Sequence, residues 1–268
     1  MSKYIDGNFF KSLCDIHLGE DVFGYKDTSE DIVLYADTHD YKKALYLISC
    51  QPEKNFILVT HNSDHCIEKT DIPQNLNIWY GMNINFEHPK LKALPIGLEN
   101  EHWHPEKRTV MKMSKQKKPQ ERIIKALSQF NPATFKEERV SLLVDVVNEN
   151  IFADPYYCIN GDNFTSYTDN LNNYAFCLCP RGNGIDTHRV WECIYSGCIP
   201  IVKEHITHEF DITTPILTVD NWSLITQNFL QQIYHDFPFH LFINNPILSQ
   251  EYWKEKIRNN VQGLKYYK

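Results

Sequence analysis

Residues 174–202, YAFCLCPRGNGIDTHRVWECIYSGCIPIV, limit the fold more than any other stretch of the chain. They read as strand, loop, helix, strand. Residues 174–179 are an apolar, strand-like run that Pro180 ends. Arg181, Gly182, Asn183 and Gly184 make a flexible, positively charged loop. Asp186 or Thr187 can cap the next helix, because a short side-chain oxygen accepts a bond from a free N–H of the first turn. That helix runs to about Ser196, where Gly197 is placed to end it. Residues 198–202 are the second strand. Such a βαβ unit sets its loop at the carboxyl edge of a parallel sheet, beside the free N–H groups and partial positive charge of a helix start.

The side chains around that start fit a phosphate. Arg181, His188 and Arg189 supply donors and positive charge. Gly182 and Gly184 let the backbone come close and take positive φ. Glu192 lies one turn after His188 on the same helix face. A carboxylate there repels a phosphate but accepts hydrogen bonds from a ribose diol. Together these groups describe a nucleotide site. A plainer reading stays open: glycine loops before helices are common, and Glu192 can pair with Arg189 or another surface charge.

The stretch PRGNGIDTHRVWECIYSGCIPIV resembles the signature of exostosin-type glycosyltransferases. Those enzymes carry a similar Pro-Arg-Gly, then Asp-x-x-Arg, Trp-Glu and a small residue before Ile-Pro-Ile-Val. Here these fall at Pro180, Arg181, Gly182, Asp186, Arg189, Trp191, Glu192 and the strand after Gly197. Weaker echoes are FILVTHNSD at 56–64, HPKLKALPIGLEN at 88–100, FNPATFKEER at 130–139 and Trp222 in VDNW. The resemblance implies an α/β protein of GT-B-like architecture, two Rossmann-like domains with a cleft between them. It puts a nucleotide-sugar in the C-terminal domain, on Arg181, Gly182, Asn183, Gly184, Asp186, His188, Arg189 and Glu192. The expected division is an acceptor-side domain at 1–130, a donor-binding domain at 131–248 and a helix at 249–268 that crosses back.

Composition removes several classes. The chain has 268 residues, 42% hydrophobic and 23% charged, normal for a soluble globular protein. A net charge of −7 argues against sequence-independent nucleic-acid binding, which needs a basic field. The local exception is Lys107, Arg108, Lys112, Lys115, Lys117, Lys118, Arg122 and Lys125, read as a solvated face. No apolar run approaches the roughly 20 residues that span a bilayer. Here the sequence departs from the membrane-anchored animal and plant members of the family it resembles. The eight cysteines, Cys14, Cys50, Cys66, Cys158, Cys177, Cys179, Cys193 and Cys198, lack zinc-like spacing. They read as free thiols in a reducing compartment, so the expected location is the cytoplasm.

Along the first half, 32–36, 56–60, 76–80 and 91–95 read as strands, with a helix at 42–49. This β–α rhythm predicts a first parallel sheet. Residues 122–130 read as a helix closing that half, and 139–148 as a helix opening the next. A turn at Asp154 and Pro155 and a polar stretch at 160–169 precede the signature. Then follow a strand at 216–219, a helix at 221–234 and a helical tail at 249–264.

Glycosyl transfer must stabilise a departing diphosphate and deprotonate an acceptor hydroxyl. Arg181, His188, Arg189 and the helix dipole serve the first need. The second calls for a carboxylate or histidine across the cleft, on a first-half loop that follows a strand. Three loops qualify: 37–40, 61–65 and 99–102. Asp64 is the leading base, His61 the runner-up and Glu99 the third, although each also suits a cap or turn. The Asp-x-Asp motif of metal-dependent glycosyltransferases is absent, and so is HExxH, so neither a metal nor another cofactor is expected. The reading is an inverting, metal-independent transferase moving a sugar, xylose or another pyranose, from a UDP-sugar to a glycan hydroxyl. One alternative is a non-catalytic sugar-nucleotide- or glycan-binding protein on the same scaffold. Another, an NAD-type oxidoreductase, is disfavoured because no G-x-G-x-x-G is present.

Overall fold

The computed structural model of the chain describes residues 4–20, 31–113, 116–144 and 164–258. Two parallel sheets organise them into two Rossmann-like α/β units. The first sheet holds β1 (Ile16–His17), β2 (Ile32–Asp37), β3 (Phe56–His61), β4 (Leu76–Gly81) and β5 (Leu91–Ala93), side by side in that order. The second holds β6 (Ile123–Leu127), β7 (Tyr174–Leu178), β8 (Ile199–Lys203) and β9 (Leu217–Val219), again in chain order. Every paired strand is parallel, so the carboxyl ends of each sheet lie along one edge. Among the described strands neither sheet reverses its order. The crevice that a reversal opens in a doubly wound sheet therefore does not define the site.

The helices are α1 (Gly7–Ser12), α2 (Tyr41–Ser49), α3 (Pro105–Met113), α4 (Lys136–Leu142), α5 (Phe164–Asn173), α6 (His188–Ser196), α7 (Gln227–Asp236) and α8 (Gln250–Arg258). The strands expected in the first half are present, and α6 ends at Gly197 in the left-handed conformation at φ 71. Two expectations change. Residues 122–130 do not form a helix but supply β6, the first strand of the second sheet. The second unit thus starts before residue 131. Ile123 and Ile124 are β-branched and favour a strand. The Arg122 guanidinium fixes the register, donating to the carbonyls of Leu171 at 2.8 Å, Tyr174 at 3.0 Å and Ser196 at 2.5 Å. The helix expected at 221–234 is divided, because Trp222–Leu224 forms a separate tight turn. Thr226 then restarts the chain as the cap of α7, its hydroxyl accepting from the Phe229 N–H at 3.1 Å. Cys158, Lys115, the turn at Asp154 and Pro155, and residues 145–148, 160–163 and 259–264 lie outside the described residues.

Strand alternation sorts the core into three layers. Ile32, Leu34, Phe56 and Leu58 face one side with the helix α2. Phe176, Leu178, Ile199 and Ile201 face the far side of the second sheet. Between them lies a shared layer that includes Val33, Tyr35 and Val59 from the first sheet and Cys177, Trp191 and Val202 from the second unit. Helix α8 joins that layer through Trp253, whose ring meets Phe10 edge-on at 5.6 Å. It also reaches the first sheet: Tyr80 donates to the Lys256 carbonyl at 3.1 Å and Arg258 to Asp15 at 2.6 Å. The two units are thus one continuous packing, with their carboxyl edges turned toward each other.

Candidate functional site

The edge loops enclose a cleft of about 500 Å³ lined by Asp37, His61, Asn62, Asp64, Glu99, Trp103 and His188, among others. The first unit supplies every one of these, from strand ends and the loops beyond them, except His188, the first residue of α6.

The loop at 180–187 is latched to the first unit. Asn83 is buried in the left-handed conformation at φ 56 just beyond β4. Its side-chain oxygen accepts the N–H groups of Ile185 at 3.0 Å and Asp186 at 2.8 Å. Gly184 has no room for a Cβ, which would meet the Asn83 amide nitrogen at 2.8 Å. Asp186, 2% exposed, accepts from the N–H groups of Ile96 at 2.8 Å and Thr187 at 2.9 Å, and from the Trp191 indole at 2.9 Å. Arg139 closes the loop from behind, donating to the carbonyls of Arg181 and Asn131, each at 2.8 Å. Burial, then the charge of Arg189, brings the Arg139 guanidinium down to about 10.

This arrangement spreads the expected nucleotide set over different surroundings. The N–H groups of Ile185, Asp186 and Thr187 are held by Asn83 or Asp186, and both Asp186 oxygens are engaged within the protein. Gly182 and Gly184 are not among the positive-φ glycines. Asn183 is exposed and donates to Asp64 at 3.4 Å. Arg181 stacks its guanidinium 4.1 Å from the Phe135 ring and donates to the Asn183 carbonyl at 3.0 Å. Arg189 and Glu192 do not line this cleft. Glu192, 7% exposed, accepts from the Tyr167 hydroxyl at 3.1 Å. Arg189 lies within 5.9 Å of the rings of Phe130 and Tyr167. Its buried Nε has no hydrogen-bond partner among the described residues. Of the eight residues, only His188 lines the cleft.

His188 is oriented. Its Nδ1 lies 2.8 Å from the Gly97 carbonyl, which only accepts, so Nδ1 carries the proton. In the neutral ring Nε2 is then a lone-pair acceptor. Gly97 is required there: its φ is 67, and a Cβ would strike the Ile5 carbonyl oxygen at 2.4 Å.

The three base candidates separate on the same grounds. His61 is 1% exposed, with Nε2 3.1 Å from the Pro95 carbonyl and Nδ1 accepting the Asn62 N–H at 2.7 Å. Burial lowers it to about 4, against the opposing effect of the Pro95 carbonyl and of the Asn62 side-chain oxygen 3.2 Å from Nδ1. Both ring nitrogens are engaged, so it has no site left for a proton from substrate. For Glu99, burial pushes upward, but the hydrogen bond and charge of Lys107, 2.5 Å away, outweigh it and hold the carboxyl low. Asp64 is exposed and faces the 180–187 loop through Asn183. It alone of the three combines access with an open carboxylate.

Sequence reasoning missed Asn83 and Arg139 as organisers of the site. Arg139 sat at the end of the FKEER echo; an asparagine just beyond a strand carries no signal that it will reach another unit. It also missed one grouping. Cys177, Cys179 and Cys193 bring three sulfurs within 4.8 Å of one another, and among the described residues they are the one group placed to hold a metal ion. Burial pushes the Cys179 and Cys193 thiols up, so they pack as small protonated hydrophobes.

No protein-family profile matches the chain. It is 45% identical over 38 residues to a probable glycosyltransferase of Arabidopsis thaliana, a match covering 14% of this chain and 7% of that protein. A second probable glycosyltransferase of the same plant is 38% identical over 56 residues, 21% of this chain and 11% of that protein. A probable beta-1,4-xylosyltransferase of Arabidopsis thaliana is 31% identical over 77 residues, 29% of this chain and 18% of that protein. The chain matches less than a fifth of the length of these relatives. A solved alpha1,3-fucosyltransferase aligns over 81% of this chain and 68% of its own at 12% identity, with a TM-score of 0.37, too low to carry an argument. Among the described residues no helix is long and apolar enough to cross a membrane.

Proposed function

We propose that this chain is a glycosyltransferase that moves a pyranose, such as xylose, from a UDP-sugar to a glycan hydroxyl by a single inverting displacement without a metal. The observation that carries the reading is the contact of Asp64, which lines the cleft, with Asn183 of the 180–187 loop beside it. An accessible carboxylate on one unit faces the helix start of the other, the placement this reaction needs. The short likenesses to proteins named as glycosyltransferases support the reaction class. The arrangement of two α/β units about a cleft is in keeping with a GT-B enzyme.

In this reading the acceptor oxygen attacks the anomeric carbon as its proton passes to Asp64. The bond to the diphosphate breaks, and UDP leaves with the electron pair. The N–H groups of His188 and Arg189 in the first turn of α6, with the Arg189 guanidinium, stabilise the leaving charge. Glu192 is the ribose acceptor if Tyr167 yields its bond. The absent Asp-x-Asp motif and this cationic helix start support metal independence. The cysteines among the described residues are free thiols, in accord with a reducing compartment, which we take to be the cytoplasm.

The test is a panel of UDP-sugars with and without EDTA, with the product anomer read by NMR. Transfer should survive EDTA and invert the anomeric centre. Asp64→Asn should cut turnover by about two to four orders of magnitude while UDP affinity by calorimetry changes less than about twofold. Loss of all activity in EDTA, restored by manganese, would refute the metal-free scheme. A retained anomeric configuration would refute single displacement.

A further inference from the structure

Of the five tryptophans in the chain, Trp79, Trp191, Trp222 and Trp253 are no more than 5% exposed, whereas Trp103 is 68% exposed. An exposed tryptophan alone means little. This one lines the cleft, and it ends a continuous chain of polar contacts. The Tyr35 hydroxyl donates to Asp37 at 3.0 Å and accepts from the Asn62 amide at 2.8 Å. The Asn62 oxygen accepts from the Asn100 amide at 3.0 Å, and the Asn100 oxygen accepts the Asn8 N–H at 2.9 Å. The Asn8 amide then donates to His102 Nδ1 at 3.0 Å, and the His102 ring lies 5.2 Å from that of Trp103. Each amide is oriented by its neighbour, and the last bond steadies the imidazole beside the indole.

We infer that Trp103 and this asparagine row form the acceptor-glycan subsite, with a pyranose ring stacked on the indole. The inference rests on the proposed transfer and names its acceptor side. A pyranose has a C–H face of partial positive charge and a rim of hydroxyls. The negative face of an indole complements the first. Fixed amides and carboxylates complement the second, and a pocket with one aromatic wall and a few convergent polar groups is the usual form of a small-ligand site. A nucleobase also stacks on tryptophan, but it has no hydroxyl rim to use the asparagine row, and the nucleotide is placed at α6.

Iodide quenching of tryptophan fluorescence reads Trp103 almost alone, because the other four indoles are buried. The probes are xylotetraose, cellotetraose and N-acetylchitotetraose at millimolar concentration, with UDP as the contrast. At least one tetrasaccharide should reduce the quenching constant by about half or more, and UDP should leave it unchanged. In transfer assays, Trp103→Ala should raise the acceptor KM about tenfold or more while UDP affinity holds within about twofold, and Trp103→Phe should recover most of the loss. An exposed side chain can be changed without unfolding the protein, so these variants report on the cleft. Protection by UDP instead, or by none of the three glycans, overturns the subsite. Transfer with an unaltered acceptor KM in Trp103→Ala also overturns it and leaves the transferase standing. Glycan protection in a protein that transfers no sugar keeps the subsite and removes the transferase.

Discussion

The 180–187 loop and the cleft rim of the first unit meet directly, yet they use their polar groups in opposite ways. In the loop, the N–H groups of Ile185, Asp186 and Thr187 are bound within the protein, and Arg139 holds the carbonyls of Pro180, Arg181 and Asn131 around it. On the rim, Asp64, Asn8 and Trp103 are exposed. The loop is a latch between the two units, and the rim is the surface that the proposed function gives to substrate. A motif rich in glycine and charge therefore need not be a ligand loop over its whole length. Here the three N–H groups just before His188 are already taken within the protein.

The strongest way to break this contrast is to cut the latch. Asn83→Ala leaves two buried N–H groups without an acceptor and places a Cβ-bearing residue with no side-chain compensation in the left-handed region. The expected loss is about 3–5 kcal/mol in urea unfolding. A loss below about 1 kcal/mol would mean the loop is not held as described.

Next comes pH. Unfolded His61 takes up a proton near pH 6.5, whereas burial holds the folded side chain to about 4. Between these values the unfolded chain binds more protons, so stability falls as pH drops from 6.5 toward 4. The loss approaches about 3 kcal/mol and levels off below that window. His61→Asn removes the titration, so the stability gap between it and the unaltered protein should narrow across the same window. A gap that stays constant would place His61 in contact with solvent, as a catalytic base requires.

The smallest effect separates two glycines of one loop. A Cβ at Gly184 would meet Asn83 at 2.8 Å, but one at Gly182 meets nothing closer than 3.4 Å. Gly184→Ala should cost about 1–3 kcal/mol by overpacking, and Gly182→Ala less than about 0.5 kcal/mol. Equal costs would show that both glycines serve backbone conformation rather than the approach of Asn83.

The sequence carried the elements of this protein through local patterning. Apolar runs such as Phe56–His61, a glycine after Ser196 and the period of α6 state strand, stop and helix within a few residues. Where an element depended on partners far away, the local reading failed. Residues 122–130 carry enough helix-forming Lys, Ala and Leu to read as a helix, and it is the distant pairing with β7, anchored by Arg122 on Leu171, Tyr174 and Ser196, that makes Ile123–Leu127 a strand. The site divides in the same way. Residue chemistry marked Asp64, His61 and Glu99, in that order, as candidate bases, because side chains of those types can all accept a proton. Which of them is open was decided by the fold: Pro95 and the Asn62 N–H engage His61, Lys107 holds Glu99, and Asp64 stays clear. The chain itself determined which groups are present and which local structures carry them. Tertiary packing alone decided which remain available, since a hydrogen-bonding or charged group has a limited number of partners and a buried neighbour takes them first.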